Sequence, residues 1–496
     1  MIRLRRAMAV AATLLQIGLA SSGDAATPET AIIVKDQAAL RGAPRDSARQ
    51  QAVLWQGEAV EVRGERMDYL QVYDYRRERG GYVHVSHARR VRLSEDGAAE
   101  LLAIVRFVRD TPGAEALGIG FTAAYIQAAP AATLRGGAGI EALDALGTFA
   151  DRLARRASSG SAHNKETAAI LSAHLDVAAR YGVRFSNHER ADRMQICYDG
   201  DAFRRVLAMQ SSAEQRARAA LALTRQECVN PDLGPLERNR VDEQRAEVLD
   251  RVDASALPVF MMNRVLMRRA GVWASLAHQR ARSGGAADAA ASRALAEFAA
   301  VRRSELTDQD LPAYNDAAMR VSASRWAALP ASPAAAGRRA RIEAAPGGPG
   351  ETCISLIGAN DAETPLLRRC TYGIVWAHSA TLNREGNALT LAVQPTDTWC
   401  ELWVFRKEPG GWTVRVLPPA ATAPDLGYAE FAGWVPGGKQ MLVAREARAE
   451  GKYQRNFELV RLDTLAVASR AADPGALSAF QRWQDPSWKE HTVSLR

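Results

Sequence analysis

The spacing of hydrophobic positions changes twice along the chain. From 31 to 92 they alternate in short runs. Ala31-Ile32-Ile33-Val34, Ala59-Val60-Glu61-Val62, the stretch 67–75 and Tyr82-Val83-His84-Val85 are separated by turn residues such as Gln56-Gly57-Glu58 and Gly80-Gly81. Several period-two runs within about 60 residues predict short antiparallel strands forming a small barrel. From 95 to 329 the period lengthens. Leu101, Leu102, Ile104, Val105 and Val108 share one helical face, and similar stripes recur at 140–155, 167–179, 213–224, 241–252, 258–276 and 286–301. This segment is predicted to be helical almost throughout, without a fixed repeat length. Residues 330–351 are rich in Pro, Gly and Ala and predict a linker. Beyond it, strands are predicted at 373–378, 388–393, 401–405 and 412–417, then at 428–434, 440–445, 457–462 and 466–470.

Those last eight strands form two four-strand sets. Trp376 and Trp434 head them, 58 residues apart; Leu391-Ala392-Val393 corresponds to Leu442-Val443-Ala444, and Leu402-Trp403-Val404 to Leu459-Val460-Arg461. The run Trp434-Val435-Pro436-Gly437-Gly438-Lys439-Gln440-Met441-Leu442 resembles the W-S-P-D-G-K-x-L element of WD40-like repeats, as in Tol-type β-propellers, with Gly437 in place of Asp. A closed propeller needs at least about four blades, so two imply a packed pair of blade-like sheets. At the other end, Leu40-Arg41-Gly42-Ala43-Pro44, Gly57-Glu58-Ala59-Val60-Glu61-Val62, Tyr69-Leu70-Gln71-Val72 and Gly81-Tyr82-Val83 resemble the strand motifs of bacterial SH3-like (SH3b) domains, with Tyr at both Trp positions. The expected architecture is multidomain α+β. A leader spans 1–26, an SH3-like β-barrel 30–93, an all-α helical domain 95–329, a linker 330–351 and an antiparallel β domain of two blade-like meanders 352–496.

The leader rests on Arg3, Arg5 and Arg6, an apolar run over 7–20, and small residues from Ser21 to Ala26. That run is shorter than the ~20 residues of a membrane span, so it reads as a cleaved signal peptide and implies a periplasmic or secreted protein with no membrane span after cleavage. Losing those three Arg and Asp24 takes the formal charge from +8 to +6. With only 6 Lys among 64 basic residues, the excess looks like coding bias and makes no case for nucleic acid as a partner. An oxidising compartment lets cysteines pair. Cys197 and Cys228 flank a predicted helical hairpin whose second helix opens on the capping box Ser212-Ala213-Glu214-Gln215, which brings them near each other. Among Cys353, Cys370 and Cys400, the favoured pair is Cys353 with Cys370.

No G-x-S-x-G elbow, H-E-x-x-H or P-loop is present, and Gly118-Ile119-Gly120 lacks the third Gly of a dinucleotide loop. His84 and His87 would face opposite sides of a strand and could share a metal ion only if the strand ended between them, which argues against a metal site. Neither a metal nor a cofactor is expected. The best-shaped feature is Tyr69-Leu70-Gln71-Val72-Tyr73-Asp74-Tyr75. Parity puts Leu70 and Val72 on one face and Tyr69, Gln71, Tyr73 and Tyr75 on the other, beside Arg76, Arg77 and Arg79. Tyr69, Tyr73, Tyr75 and Tyr82 are the candidate binding residues, since tyrosines join flat apolar area to hydrogen-bonding tips. The alternative is that they pack against the helical segment, or that Tyr69 is core, as the Trp of the SH3b motif at that position implies.

The resulting expectation is an exported cell-envelope binding or scaffold protein, its partner a cell-wall polymer such as peptidoglycan, a peptide or an envelope protein. The SH3b resemblance implies the wall or peptide contact. Two alternatives stand beside it: an envelope hydrolase with its chemistry in the helical segment, and a pure protein–protein scaffold. Against the hydrolase, Glu100, Asp144, Asp151 and Glu166 read as single carboxylates on solvated helix faces.

Overall fold

The computed structural model describes residues 29–159, 164–190, 193–329, 340–358, 364–421 and 424–495. The expected leader and residues 330–339 of the expected linker lie outside them. The chain forms two compact units, divided after Pro130.

In the first unit, strands β1 (Glu29–Ile33), β2 (Ala38–Arg41), β3 (Gln50–Leu54), β4 (Ala59–Arg66), β5 (Tyr69–Asp74), β6 (Arg79–His84) and β7 (Ala88–Val91) make one antiparallel sheet in the order β3-β2-β6-β5-β4-β1-β7. Alternation drives this arrangement. Val60 and Val62, Leu70 and Val72, and Val83 bury together with Ile33, Leu40 and Leu54. Gly81 pairs with Val72 on the same inner side, where a Cβ would come within 2.7 Å of Leu40, so Leu40 fills the space a side chain would need. Helices α1 (Glu95–Val108) and α2 (Glu115–Ala128) belong to this unit, so the expected boundary at 95 does not separate sheet from helices. Gly118 and Gly120 lie inside α2, where a Cβ on Gly120 would sit 2.7 Å from the Gly57 carbonyl oxygen. The role of Gly120 is close packing.

The second unit begins with helices α3 (Ala131–Leu134), α4 (Gly137–Ser158) and α5 (Lys165–Arg180). A two-stranded hairpin follows, β8 (Phe185–Arg190) and β9 (Arg193–Tyr198), and corrects the all-α expectation for 95–329. Its alternation is mostly polar, so it offered no hydrophobic run. Helices α6 (Asp201–Ala208), α7 (Ala213–Leu223), α8 (Pro235–Asp250), α9 (Val259–Arg282), α10 (Asp288–Ala299) and α11 (Leu311–Ser324) continue the chain. The Ser212 hydroxyl and the Gln215 side chain cap α7 reciprocally. Cys197 on β9 is bonded to Cys228 beyond α7, with Cα atoms 5.7 Å apart.

Strand β10 (Ala340–Pro346) falls within the expected linker and joins β11 (Thr352–Gly358) and β12 (Leu367–Thr371) in a small sheet, crossed by the Cys353–Cys370 disulfide. Next come β13 (Ile374–Leu382), β14 (Ala388–Thr396), β15 (Trp399–Glu408) and β16 (Gly411–Leu417), then β17 (Leu426–Val435), β18 (Gln440–Ala449), β19 (Lys452–Arg461) and β20 (Val467–Ala471). The two four-strand meanders are not a stacked pair. They join edge to edge, β15 running parallel to β17 through Trp399 with Gly427 and Cys400 with Tyr428. Gly427 permits this junction, because a Cβ there would meet the Glu446 carbonyl oxygen at 2.7 Å. Between β17 and β18, Gly437 and Gly438 both take positive φ (97° and 64°), a demand glycine meets without strain. Helices α12 (Ser478–Trp483) and α13 (Pro486–His491) close the unit.

The helical and β segments on either side of 330–339 share one core. Met319 and Ala323 of α11 bury with Trp376, Ala392, Cys400, Leu426 and Tyr428 of the sheet. Arg325 Nη1 lies 2.5 Å from Glu430 Oε2, and both side chains are almost wholly buried. Trp488 Nε1 (2.8 Å), Thr492 Oγ1 (2.5 Å) and Ser494 Oγ (3.2 Å) all donate to Glu430 Oε1. Arg448 and the Tyr453 hydroxyl both reach Asp316. The expected linker therefore does not divide independent domains. Among the described residues, no helix is long and apolar enough to cross a membrane.

Candidate functional site

The solvent side of the N-terminal sheet carries the candidate residues. Strand parity places Tyr69, Gln71 and Tyr73 of β5 opposite the core positions Leu70 and Val72, and the register sets them beside His84, Tyr82 and Gly80 of β6. Arg41 of β2 stands next to Tyr82, and Glu61 of β4 next to Tyr73. One polar and aromatic face therefore crosses β2, β6, β5 and β4.

Tyr75, just past β5, is 67 % exposed and stacks edge-on against Tyr73 with ring centroids 5.0 Å apart. The Arg63 guanidinium lies 3.9 Å above the Tyr73 ring. The Tyr75 hydroxyl and Arg63 Nε both donate to Glu61. Those two bonds hold the Glu61 carboxyl below its ordinary range, Tyr75 first and Arg63 second. Two rings and a cation are thus held ready by one carboxylate, an arrangement suited to a flat polar ligand.

Arg63 replaces the arginines expected there. Arg77 turns to the buried carboxylates Glu58 (3.0 Å) and Asp74 (2.6 Å), and Arg79 donates to the Gln51 carbonyl oxygen. A break in the β4–β5 register between Val62 and Gly64 leaves Arg63 out of the ladder. The polar-in-strand position of Arg63 was its only mark in the sequence.

Tyr69 is not an exposed platform residue. It is 6 % exposed, its hydroxyl donates to Asp46 at 2.6 Å, and its ring packs edge-on against His84. Tyr82 is half-buried. The expectation that His84 and His87 face opposite sides is also overturned. Strand β6 ends at His84, and Val85–His87 form a 3₁₀ turn that brings the two rings to 5.4 Å. Both line a cavity of about 210 Å³ together with Ala39, Arg41, Asp46, Tyr69 and Ser86.

The helical carboxylates are not all solvated. Asp144 is fully buried and paired with Arg218 at 2.9 Å, and Asp151 pairs with Arg225 (2.6 Å) and Arg155 (2.8 Å). Burial works against the charged form of nearby Glu227, yet Arg225 and Arg268 draw it down to about 2. Ser275 and His278 of α9, with Asp397, have the residue types of a hydrolytic triad. Their bonding differs. Ser275 donates to Asp242 at 2.6 Å and reaches Asp397 at 3.3 Å, so its proton is directed at carboxylates and not at an imidazole. His278 is buried without a hydrogen-bond partner among the described residues, and burial lowers it to about 4. Arg238 pairs with both Asp242 and Asp397, so the cluster joins α8 and α9 to the loop after β14.

No family model, curated protein or solved structure matches this chain.

Two disulfides fit an oxidising, extracytoplasmic environment. The one free thiol among the described cysteines, Cys400, is buried and pushed up to about 12 by that burial, which removes it as a nucleophile.

Proposed function

We propose that the chain is an exported, periplasmic or secreted envelope protein whose N-terminal sheet is an SH3-like module that binds the peptide portion of a cell-wall polymer. The observation that carries this reading is the Tyr73–Tyr75 pair, held by Arg63 and Glu61 on an open strand face. A ligand meeting rings that are already oriented loses less freedom on binding, which favours recognition by this face. The short strand motifs shared with SH3b domains support the wall as the partner, and the two disulfides support export. In the second unit, the Trp434 to Leu442 run supports a kinship with WD40-like blades, and the two joined meanders supply a broad sheet edge for envelope partners.

The test is co-sedimentation of the mature protein with purified peptidoglycan sacculi. Binding is expected, and Tyr73→Ala with Tyr75→Ala is expected to abolish it while leaving the circular dichroism spectrum unchanged. Failure of the wild-type protein to sediment would overturn the wall reading. A clearing zone on a peptidoglycan zymogram that survives purification would favour the hydrolase instead.

A further inference from the structure

We propose that the cavity beside Tyr69 is a carboxylate site that takes the free C-terminus of a short peptide, at the opposite end of the face that carries Tyr73 and Tyr75. This deepens the wall-peptide reading and rests on it for the identity of the polymer, though not for the chemistry of the pocket.

The lining is rich in cations and donors. Arg41 comes from β2 and His84 from the end of β6, while His87 comes from the 3₁₀ turn with the Lys35 ammonium 3.4 Å from its Nε2. The Tyr69 hydroxyl lines the cavity too, with its single proton given to Asp46. The one acid is Asp46, on the loop after β2. Its carboxylate, though 90 % exposed, is held by the Tyr69 hydroxyl at 2.6 Å with Arg41 Nη2 at 4.0 Å. Tyr69 and Arg41 thus already hold a carboxylate at the open rim of the pocket, and an incoming one would compete with Asp46 for them. That hydroxyl is the main reason the Asp46 carboxyl sits below its ordinary range.

Size and direction identify the occupant. A cavity of about 210 Å³ holds a terminal carboxylate with one small residue. Tyr69 and Tyr73 are four positions apart on β5, about 13 Å at strand rise. An extended peptide anchored by its C-terminus would pass Tyr82 and reach Tyr73 within about four residues.

The site is also acid-dependent. His87 resists protonation because it is partly buried and because Lys35, His84 and Arg41 repel a further charge, with Asp46 alone opposing them. A bound carboxylate reverses that balance, so binding takes up a proton and tightens as the pH falls below the ordinary histidine range.

The experiment is calorimetric titration of the full mature protein with N-acetyl-alanyl-alanine and with its C-terminal amide, at pH 7.5 and 5.5. The free acid should bind about tenfold or more tightly than the amide, since the amide loses the charge-assisted bonds. Affinity for the acid should rise at pH 5.5. His87→Gln should remove that rise without changing the fold seen by circular dichroism. Asp46→Asn, which removes the resident anion, should tighten acid binding about two- to fivefold. Undetectable acid binding, equal affinities for acid and amide, or a pH effect untouched by His87→Gln would overturn the proposal. Dipeptide binding without sacculus binding would overturn the wall reading and leave the pocket standing. Sacculus binding with no preference for the acid would do the reverse.

Discussion

Removing the Arg325 side chain tests how tightly the helical and β halves of the second unit depend on each other. Arg325 is 3 % and Glu430 2 % exposed, and their atoms lie 2.5 Å apart. Arg325 also stacks on Trp326, with its guanidinium carbon 4.3 Å from the ring centroid. Arg325→Met would leave a carboxylate buried without its cation, a change that costs about 3–5 kcal/mol. Against a typical total of about 5–15 kcal/mol, this is a large fraction of the stability. With a urea dependence of about 2 kcal/mol per molar, the midpoint should fall by on the order of 2 M. Adding Glu430→Gln removes the stranded charge, while the Gln carbonyl can still accept from Trp488, Thr492 and Ser494. The double variant should therefore recover about 2 kcal/mol of the loss. Urea unfolding followed by tryptophan fluorescence reads both, since the Trp residues concentrate around this sheet. A loss below about 1 kcal/mol for Arg325→Met, or a double variant no better than the single one, would refute the assignment of a buried, mutually dependent pair.

Three further outcomes follow from the same interior. His278, lowered to about 4 from an unfolded value of 6.5, binds its proton more readily in the unfolded chain. Its contribution is fully present above pH 6.5 and is lost as the pH falls towards 4. It amounts to at most about 3 kcal/mol, and His278→Leu should flatten that part of the stability–pH curve. Replacing Cys197 and Cys228 by Ala opens a loop spanning 31 positions, and should lower stability by about 3–4 kcal/mol in chemical unfolding. In Ellman titration, the non-reduced protein should show no reactive thiol when native and one when unfolded, because Cys400 is buried and its thiol is held neutral.

What could be read ahead of the structure follows from where the information lies. Helices α1 and α10 bury one stripe and expose another, so their periodicity betrays them. The Ser212–Gln215 capping box marks the start of α7 by chemistry confined to four residues. Helix α2 is buried on most sides, so no stripe separates a core face from a wet one, and its Gly118-Ile119-Gly120 imitated a loop. The same contrast holds at the site. Tyr73 opposite Val72 is a parity argument within one strand and was legible. Arg63 depends on a register break between β4 and β5, and the meeting of His84 with His87 depends on where β6 ends. Asp46 reaches Tyr69 from a loop 23 residues away. Each of these needs the tertiary arrangement. Asp144 looked like a surface carboxylate because its partner Arg218 is 74 positions distant.

The measurement that bears most directly on the proposed function is the binding isotherm of the mature protein on purified sacculi, compared among wild type, Tyr75→Ala and Tyr372→Ala. Tyr75 and Tyr372 are similarly exposed, at 67 % and 70 %, but only Tyr75 belongs to the Arg63–Tyr73 cluster. The account predicts saturable wild-type binding, unchanged by Tyr372→Ala and weakened about tenfold or more by Tyr75→Ala, the loss expected of an aromatic anchor. Equal binding by all three proteins, or none by the wild type, would contradict it.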